Sequence, residues 1–345
     1  VNTVANIAQE AFLDWRETPP TKRQQYFFTL KQLLEDHFEE LSRIIVQEMG
    51  KTIQEARGEM RRTIEEVDCA CGVPKLMHGY LAQDISFGID LRAINEPLGV
   101  FCMIPAFNFP ALVPMEYLPY ALATGCTYIV KPSSEVPITQ TRIFELIHEA
   151  GFPPGVVNMI HGSRDVVKAL IDHPFVKGVS FVGSSPVGKL LYEQAARHGK
   201  RAQMAGGAKN HFVVMPDADL DKTVGAILSS FFGCSGQRCL AGSVLVPVGD
   251  IAEPLLDKLL AAASKMRMGY GLDENMQMGA LVSSKHRDNV IGFIDKGVAE
   301  GAELLLDGRK KEPEDCPNAA FVGPTVFDRV RPEMTIAQEE IFGPV

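Results

Sequence analysis

Gly99-Val100-Phe101-Cys102-Met103-Ile104-Pro105-Ala106-Phe107-Asn108-Phe109-Pro110 is a short, unbroken apolar run that empties into a proline-bounded loop. A regular rhythm follows it: strand 99–104, helix 111–124, strand 127–130, helix 137–150, strand 156–160, helix 164–172, strand 178–181 and helix 186–198. Apolar strands that alternate with helices predict a parallel sheet covered on both faces. Ligands of such sheets sit at the carboxyl ends of the strands, so the residues just after each strand matter most. Three loops stand out there: 105–110, Lys131-Pro132-Ser133-Ser134, and Val182-Gly183-Ser184-Ser185-Pro186-Val187-Gly188.

The glycine loop is tested against two nucleotide motifs. From Gly183 to Leu190 it reads GSSPVGKL, which fits the phosphate-loop pattern GxxxxGK[ST] except at Leu190, where the magnesium-holding hydroxyl is missing. The pattern GxGxxG is absent as well. What remains is a strand running into a helix whose start carries Gly183 and Ser184, an end whose amides suit a pyrophosphate.

Upstream, residues 2–16, 21–49 and 51–78 read as three helices punctuated by Pro19-Pro20 and Gly50. The charges Arg61, Arg62, Glu65 and Glu66 in the third fit a solvated face. Residues 79–97 alternate, with Ile85, Phe87, Ile89 and Leu91 on one side, the periodicity of a strand in a projecting arm. Such arms often serve oligomer contacts. Downstream of 209 a second region begins: strand 212–215, helix 219–232, strand 243–248, helices 251–266 and 283–301, and strand 302–306. A loop over 315–318 leads to Phe321-Val322-Gly323-Pro324-Thr325-Val326 and the closing Glu339-Glu340-Ile341-Phe342-Gly343-Pro344.

The chemistry falls in Phe231-Phe232-Gly233-Cys234-Ser235-Gly236-Gln237-Arg238-Cys239. The helix ends at Gly233, leaving Cys239 in a small-residue loop beside the cation of Arg238. A thiol near a positive charge ionises more readily, and the thiolate is the reactive form.

Composition narrows the class. A chain of 345 residues with 46% hydrophobic and 22% charged residues is globular and long enough for two domains. Its net charge of −9, with no long basic block, gives nothing for nucleic acid to hold. Seven cysteines without a regular framework do not suit a disulfide scaffold, and no pair has zinc-site spacing, so no metal is expected. The most apolar stretch, 109–130, carries Pro110, Pro114, Glu116 and Pro119 and is no membrane helix. With no leader pattern at the start, a cytoplasmic or organelle-matrix enzyme is expected. Val1 and the closing Gly343-Pro344-Val345 read as cut ends.

Taken together, the 105–110 loop with Phe107-Asn108-Phe109-Pro110, Lys131-Pro132-Ser133, Phe181-Val182-Gly183-Ser184, Gly236-Gln237-Arg238-Cys239 and Glu340-Ile341-Phe342-Gly343-Pro344 resemble the aldehyde dehydrogenase superfamily, in its order and across essentially the whole chain. Gly207-Ala208-Lys209-Asn210-His211, Arg238 and Asp172-His173-Pro174 resemble its CoA-acylating methylmalonate-semialdehyde dehydrogenase group. The resemblance implies an α/β fold: a Rossmann-type cofactor domain over 1–78 and 98–208, an oligomerisation arm over 79–97, and an incomplete α/β catalytic domain over 209–345. It also implies a homodimer or homotetramer that takes a small aldehyde.

By the same resemblance, Cys239 attacks the aldehyde carbon, and the Asn108 amide and the Cys239 N–H receive the oxyanion. NAD or NADP meets Pro105, Phe107, Lys131, Gly183, Ser184, Gly206, Glu340 and Phe342. Arg62 and Arg238 take a substrate carboxylate, for which bidentate guanidinium pairing is suited; a surface ion pair with Glu65 or Glu66 is the rival role for Arg62.

Two departures from the family pattern bear on the outcome. Ala205 stands where hydrolytic members carry the glutamate that activates water, which favours transfer of the acyl group to a thiol such as coenzyme A. Ser134, with Glu135 one place later, stands where a carboxylate would repel a 2′-phosphate, leaving NAD and NADP both open. The rival readings are a hydrolytic dehydrogenase and a catalytically silent paralogue that only binds.

Overall fold

Buried residues at helical spacing (Ala5, Ala8, Phe12 and Trp15) define the inner stripe of the first helix, α1 (Asn2–Trp15). The helix expected over 21–49 is two, α2 (Pro20–Asp36) and α3 (Phe38–Met49), because His37 between them leaves helical geometry at φ −103°, ψ 15°. The helix expected over 51–78 stops early, as α4 (Ile53–Cys71) and a single turn α5 (Val73–Leu76). Gly72 and Pro74 explain that break, since proline removes a donor and clashes with the preceding turn.

The arm is a hairpin. Strands β1 (Tyr80–Ser86) and β2 (Ile89–Ala93) pair antiparallel, with Ser86 opposite Ile89 across Phe87-Gly88. Gly88, the second residue of the turn, takes φ 71°, a left-handed conformation that glycine adopts without steric cost.

The expected β/α alternation follows: β3 (Val100–Ile104), α6 (Leu112–Met115), α7 (Leu118–Ala123), β4 (Thr127–Val130), α8 (Ile138–Glu149), β5 (Val157–Met159), α9 (Arg164–Asp172), β6 (Val176–Val182) and α10 (Ser185–Arg197). The helix expected over 111–124 is broken into α6 and α7, the second with a proline in its first turn. A strand the sequence reading passed over, β7 (Arg201–Ala205), completes the sheet. All neighbours are parallel, in the order β5-β4-β3-β6-β7. Ala5 and Ala8 of α1, Leu170 and Ile171 of α9, and Ala195 of α10 pack on Val100, Cys102, Ile129 and Val179 of the sheet. Each large aliphatic side chain so buried contributes about 1.5–3 kcal/mol. Trp15 closes one end, donating from Nε1 to the Leu122 carbonyl at 3.0 Å beside Tyr26 and Phe152.

Beyond Gly206, β8 (Asn210–Val214) leads to α11 (Leu220–Ile227), whose cap Asp219 accepts the Asp221 and Lys222 amides. The helix expected over 219–232 ends as α-helix at Ile227 and widens into a π turn over Leu228–Phe232. Then come β9 (Gly242–Pro247), parallel to β8, α12 (Ala252–Ala263), α13 (Ser284–Ala299), β10 (Glu303–Leu306), β11 (Val326–Asp328) and α14 (Thr335–Gln338). Strands β10 and β11 pair antiparallel. One core gathers Val224, Ile227, Phe232, Leu255 and Leu259; another gathers Leu281, Val290, Ile294 and Val322.

This computed structural model describes residues 1–313, 316 and 319–345. Apart from Cys316, the loop expected over 315–318 lies outside the described residues. By packing, the chain divides into one unit of Val1–Leu41 with Gly58–Gly206 and another of Ser42–Arg57 with Gly207–Val345. Most of α3 and the start of α4 are thus counted with the second unit, and the arm expected over 79–97 is counted with the first. Among the described residues, no helix is long and apolar enough to cross a membrane.

Candidate active site

In the first unit, the chain runs from β3 outward to β4 and β5, then returns to the other side of β3 for β6 and β7. That reversal lies between β3 and β6, where open parallel sheets take their ligands. Because the strands are parallel, the 105–110 loop, the 131–135 loop, Gly183-Ser184 and Gly206 all leave the same edge. The structure therefore collects Pro105, Phe107, Lys131, Ser134, Glu135, Gly183, Ser184 and Gly206 in one place.

Each has a local cause. Lys131 is buried, and its Nζ donates to the carbonyls of Pro132 at 2.7 Å and Gly162 at 3.1 Å. Burial pushes its ammonium below the usual lysine range. It is therefore a fixed donor at the end of β4 and not a solvated surface lysine. Ser184 is the N-cap of α10, at φ −66°, ψ 143°, and is exposed. A side chain at Gly183 would meet the Phe181 ring at 2.5 Å, and one at Gly206 would meet Ser185 Oγ at 2.7 Å. Small residues keep that helix start open. Ser134 and Glu135 are exposed, with the Glu135 N–H on Ser133 Oγ at 3.3 Å.

Asn108 is fully buried. Its loop is clamped from two sides. The buried Glu59 of α4 accepts the amides of Ala111 at 2.7 Å and Leu112 at 3.2 Å, and Gln140 donates to the Pro110 carbonyl at 2.6 Å. Sequence reasoning passed over both residues. For Glu59 a signal existed, since it falls on the apolar stripe of α4 that Ala56, Met60, Thr63 and Val67 trace.

Arg62 is exposed on α4. Its neighbour Arg61 is the one that pairs with a carboxylate, Glu35, at 2.6 Å, and stacks over Phe38. Glu66, the rival partner proposed for Arg62, instead accepts the Tyr120 hydroxyl at 2.6 Å. The charge of Arg62 acts on Glu116, whose carboxyl is pushed up by burial and by Glu66 and drawn back down by Arg62.

The second unit holds Cys239, half-buried, whereas Cys234 is buried at 2% exposure. Between them the backbone is left-handed at three successive residues: Cys234 at φ 51°, Ser235 at φ 55° and Gly236 at φ 71°. For the two residues with a side chain this costs about 1–2 kcal/mol each, and the surroundings hold it in place. Ser235 Oγ donates to the Gly279 carbonyl at 2.7 Å, Gln237 Nε2 donates to the Cys234 carbonyl at 3.1 Å, and Gln237 Oε1 accepts the Val282 amide at 3.1 Å. Asn210 donates to the Cys239 and Ala241 carbonyls at 2.9 and 2.8 Å. The Arg238 guanidinium turns back to the Ser229 carbonyl at 3.2 Å.

The closing segment lies against this loop. A side chain at Gly236 would stand 2.0 Å from the Gly343 carbonyl oxygen. Glu340 and Phe342 are therefore brought near the cysteine loop within the same unit. The Glu340 carboxyl is raised by burial, against the opposing pull of the Ala208 amide and Lys209. Phe342 has φ 59°, and its carbonyl lies 2.8 Å from His286 Nε2. Burial keeps that imidazole below its ordinary value.

The class is an α/β protein, with a parallel sheet and an open helix start at its switch point in one unit and a strained, heavily bonded loop presenting a half-buried thiol in the other. The chain belongs to the aldehyde dehydrogenase family, whose model matches residues 1–345. It is 47% identical, over all 345 residues and 71% of the relative, to "Malonate-semialdehyde dehydrogenase 2" of Geobacillus kaustophilus. In structure it is similar to the methylmalonate-semialdehyde dehydrogenase of Oceanimonas doudoroffii, with TM-score 0.96, 43% identity, and coverage of 99% of this chain and 70% of that one. It is similar also to an NAD-dependent aldehyde dehydrogenase of Sinorhizobium meliloti, with TM-score 0.95, 35% identity, and coverage of 99% and 68%.

Proposed function

We propose that this chain oxidises a malonate- or methylmalonate-type semialdehyde with NAD(P) and delivers the acyl group to coenzyme A. One observation carries the choice of acceptor. Position 205, at the end of β7, is an exposed alanine, so no carboxylate stands there to activate water. A thiol acceptor needs less help, because its thiolate is already a strong nucleophile.

The donor set at the edge of the sheet suits a dinucleotide. The α10 start offers amides to a pyrophosphate, the openings at Gly183 and Gly206 leave it accessible, and Lys131 supplies a fixed ammonium for ribose hydroxyls. Pro105 and Phe107 offer backbone groups, and Glu340 and Phe342 serve the nicotinamide end. Ser134 does not repel a 2′-phosphate, so we expect both NAD and NADP to be used. When bound, the nicotinamide accepts a hydride.

The chain's own residues supply the rest. The Cys239 thiolate attacks the carbonyl carbon, while the Asn108 amide and the Cys239 N–H stabilise the oxyanion. Loss of hydride leaves a thioester on Cys239, and the coenzyme A thiolate displaces that sulfur to give acyl-CoA and free Cys239. Arg62 and Arg238 recognise the substrate carboxylate. The exposed apolar hairpin β1–β2 joins copies of the chain in a homo-oligomer.

The test is NADH formation from malonate semialdehyde with and without coenzyme A, the product being read by mass. Acyl-CoA formed only with coenzyme A is expected. Equal turnover without it, yielding the free acid, would show that water is the acceptor. Cys239→Ala should abolish oxidation, and Cys234→Ala should retain most of it.

A further inference from the structure

Thr52 and Glu55 form a capping box at the start of α4. The Thr52 amide and hydroxyl both donate to Glu55 Oε2 at 2.9 Å, and the Glu55 amide returns to Thr52 Oγ1 at 3.4 Å. A capping box employs only one carboxylate oxygen. The second, Oε1, accepts the backbone amide of Cys234 at 2.5 Å, across 179 residues of sequence. Cys234 is the first residue of the left-handed run.

Gly233, the preceding residue, lies beside the same carboxylate. A side chain there would stand 3.0 Å from Arg238 Nη1 and 3.4 Å from Glu55 Oε1. The carboxylate and the guanidinium thus flank one glycine, and Arg238 is the residue that precedes Cys239. The segment 233–239 therefore has its first residues against the Glu55 carboxylate, while the Arg238 guanidinium passes the other side of Gly233 on its way to the Ser229 carbonyl.

We infer that Glu55 is a positioning residue for the nucleophile. Its Oε1 pins the left-handed turn through the Cys234 amide, which fixes how the segment presents the Cys239 sulfur. The inference rests on the reading of Cys239 as nucleophile. Its test uses thiol alkylation, which needs neither aldehyde nor coenzyme A, so an error about the substrate leaves it legible.

The full chain and its Glu55→Ala, Glu55→Gln and Thr52→Ala variants are treated with iodoacetamide, and the peptides containing Cys239 and Cys234 are followed by mass. Glu55→Ala is expected to slow Cys239 by on the order of tenfold, the scale on which misplacing a reacting group acts, and to expose Cys234. Glu55→Gln keeps an oxygen for the Cys234 amide and should recover most of the rate. Thr52→Ala weakens the capping box but spares the Cys234 bond, so both thiols should react as in the parent chain. Should Glu55→Ala not fold, Glu55→Asp, which withdraws the carboxylate by one methylene, replaces it with the same expectation. Parent-like alkylation of Cys239 in the Ala or Asp variant would overturn the inference. So would equal slowing by Thr52→Ala, which would make Glu55 a helix cap alone. A Cys239 in the parent chain no more reactive than the half-buried Cys316 would overturn the nucleophile reading itself, and this inference with it.

Discussion

Burial holds the Lys209 ammonium down to about 8, and the nearby Glu340 offsets only part of that pull. Its Nζ also donates to the Glu339 carbonyl at 3.0 Å. A lysine whose folded value lies below its unfolded one binds more protons when unfolded. Stability should therefore rise with pH between about 8 and the ordinary lysine value, by less than about 1.4 kcal/mol per pH unit, the slope for one whole proton. Lys209→Met should remove that rise, which denaturant melts at pH values spanning the window will check. At this scale, Cys239 and Asn108 stood out in the sequence because their neighbours form recognisable motifs. Glu55 and Glu59 did not: each acts on a partner far along the chain, and although the buried stripe of α4 marks Glu59 as odd, spacing on one helix cannot reveal what it holds. The left-handed Cys234 and Ser235 were equally hidden: only the flanking Gly233 and Gly236 hint at unusual backbone.

The strands of the sheet were legible because buried parallel strands are continuously apolar. The exception, β7, is an edge strand whose exposed and half-buried positions alternate, and it was lost in the run-out of α10. Prolines, Gly72 and the non-helical His37 divided helices that periodicity alone had joined, so these failures lie at element ends and not in element type. The hairpin poses a different problem. Leu81, Ile85, Phe87, Ile89 and Leu91 are all exposed, and Phe87 fully so. Exposed apolar strands of this kind are unstable as free surfaces. Replacing Phe87 and Ile89 with serine should leave the melting temperature of the protomer nearly unchanged while lowering the oligomer mass read by light scattering. An unchanged mass would remove the hairpin from the assembly.

Across the whole molecule, the sequence carries a single tryptophan. Trp15 is 2% exposed, its indole N–H is held by Leu122, and Tyr26 and Phe152 lie against it. The division into two packed units was only approximately visible in the sequence, because residues 42–57 leave the run of N-terminal helices to join a region that starts after residue 206. That partition depends on contacts between distant segments, which no local pattern encodes. Trp15 gives one of the two units an optical signature of its own. Its emission should lie to the blue of free indole, with acrylamide quenching several-fold weaker than in the denatured chain. Quenching equal to that of the denatured chain would contradict the packing around α1. The unit built on the parallel sheet thus has a built-in lamp, and the unit that holds Cys239 is dark.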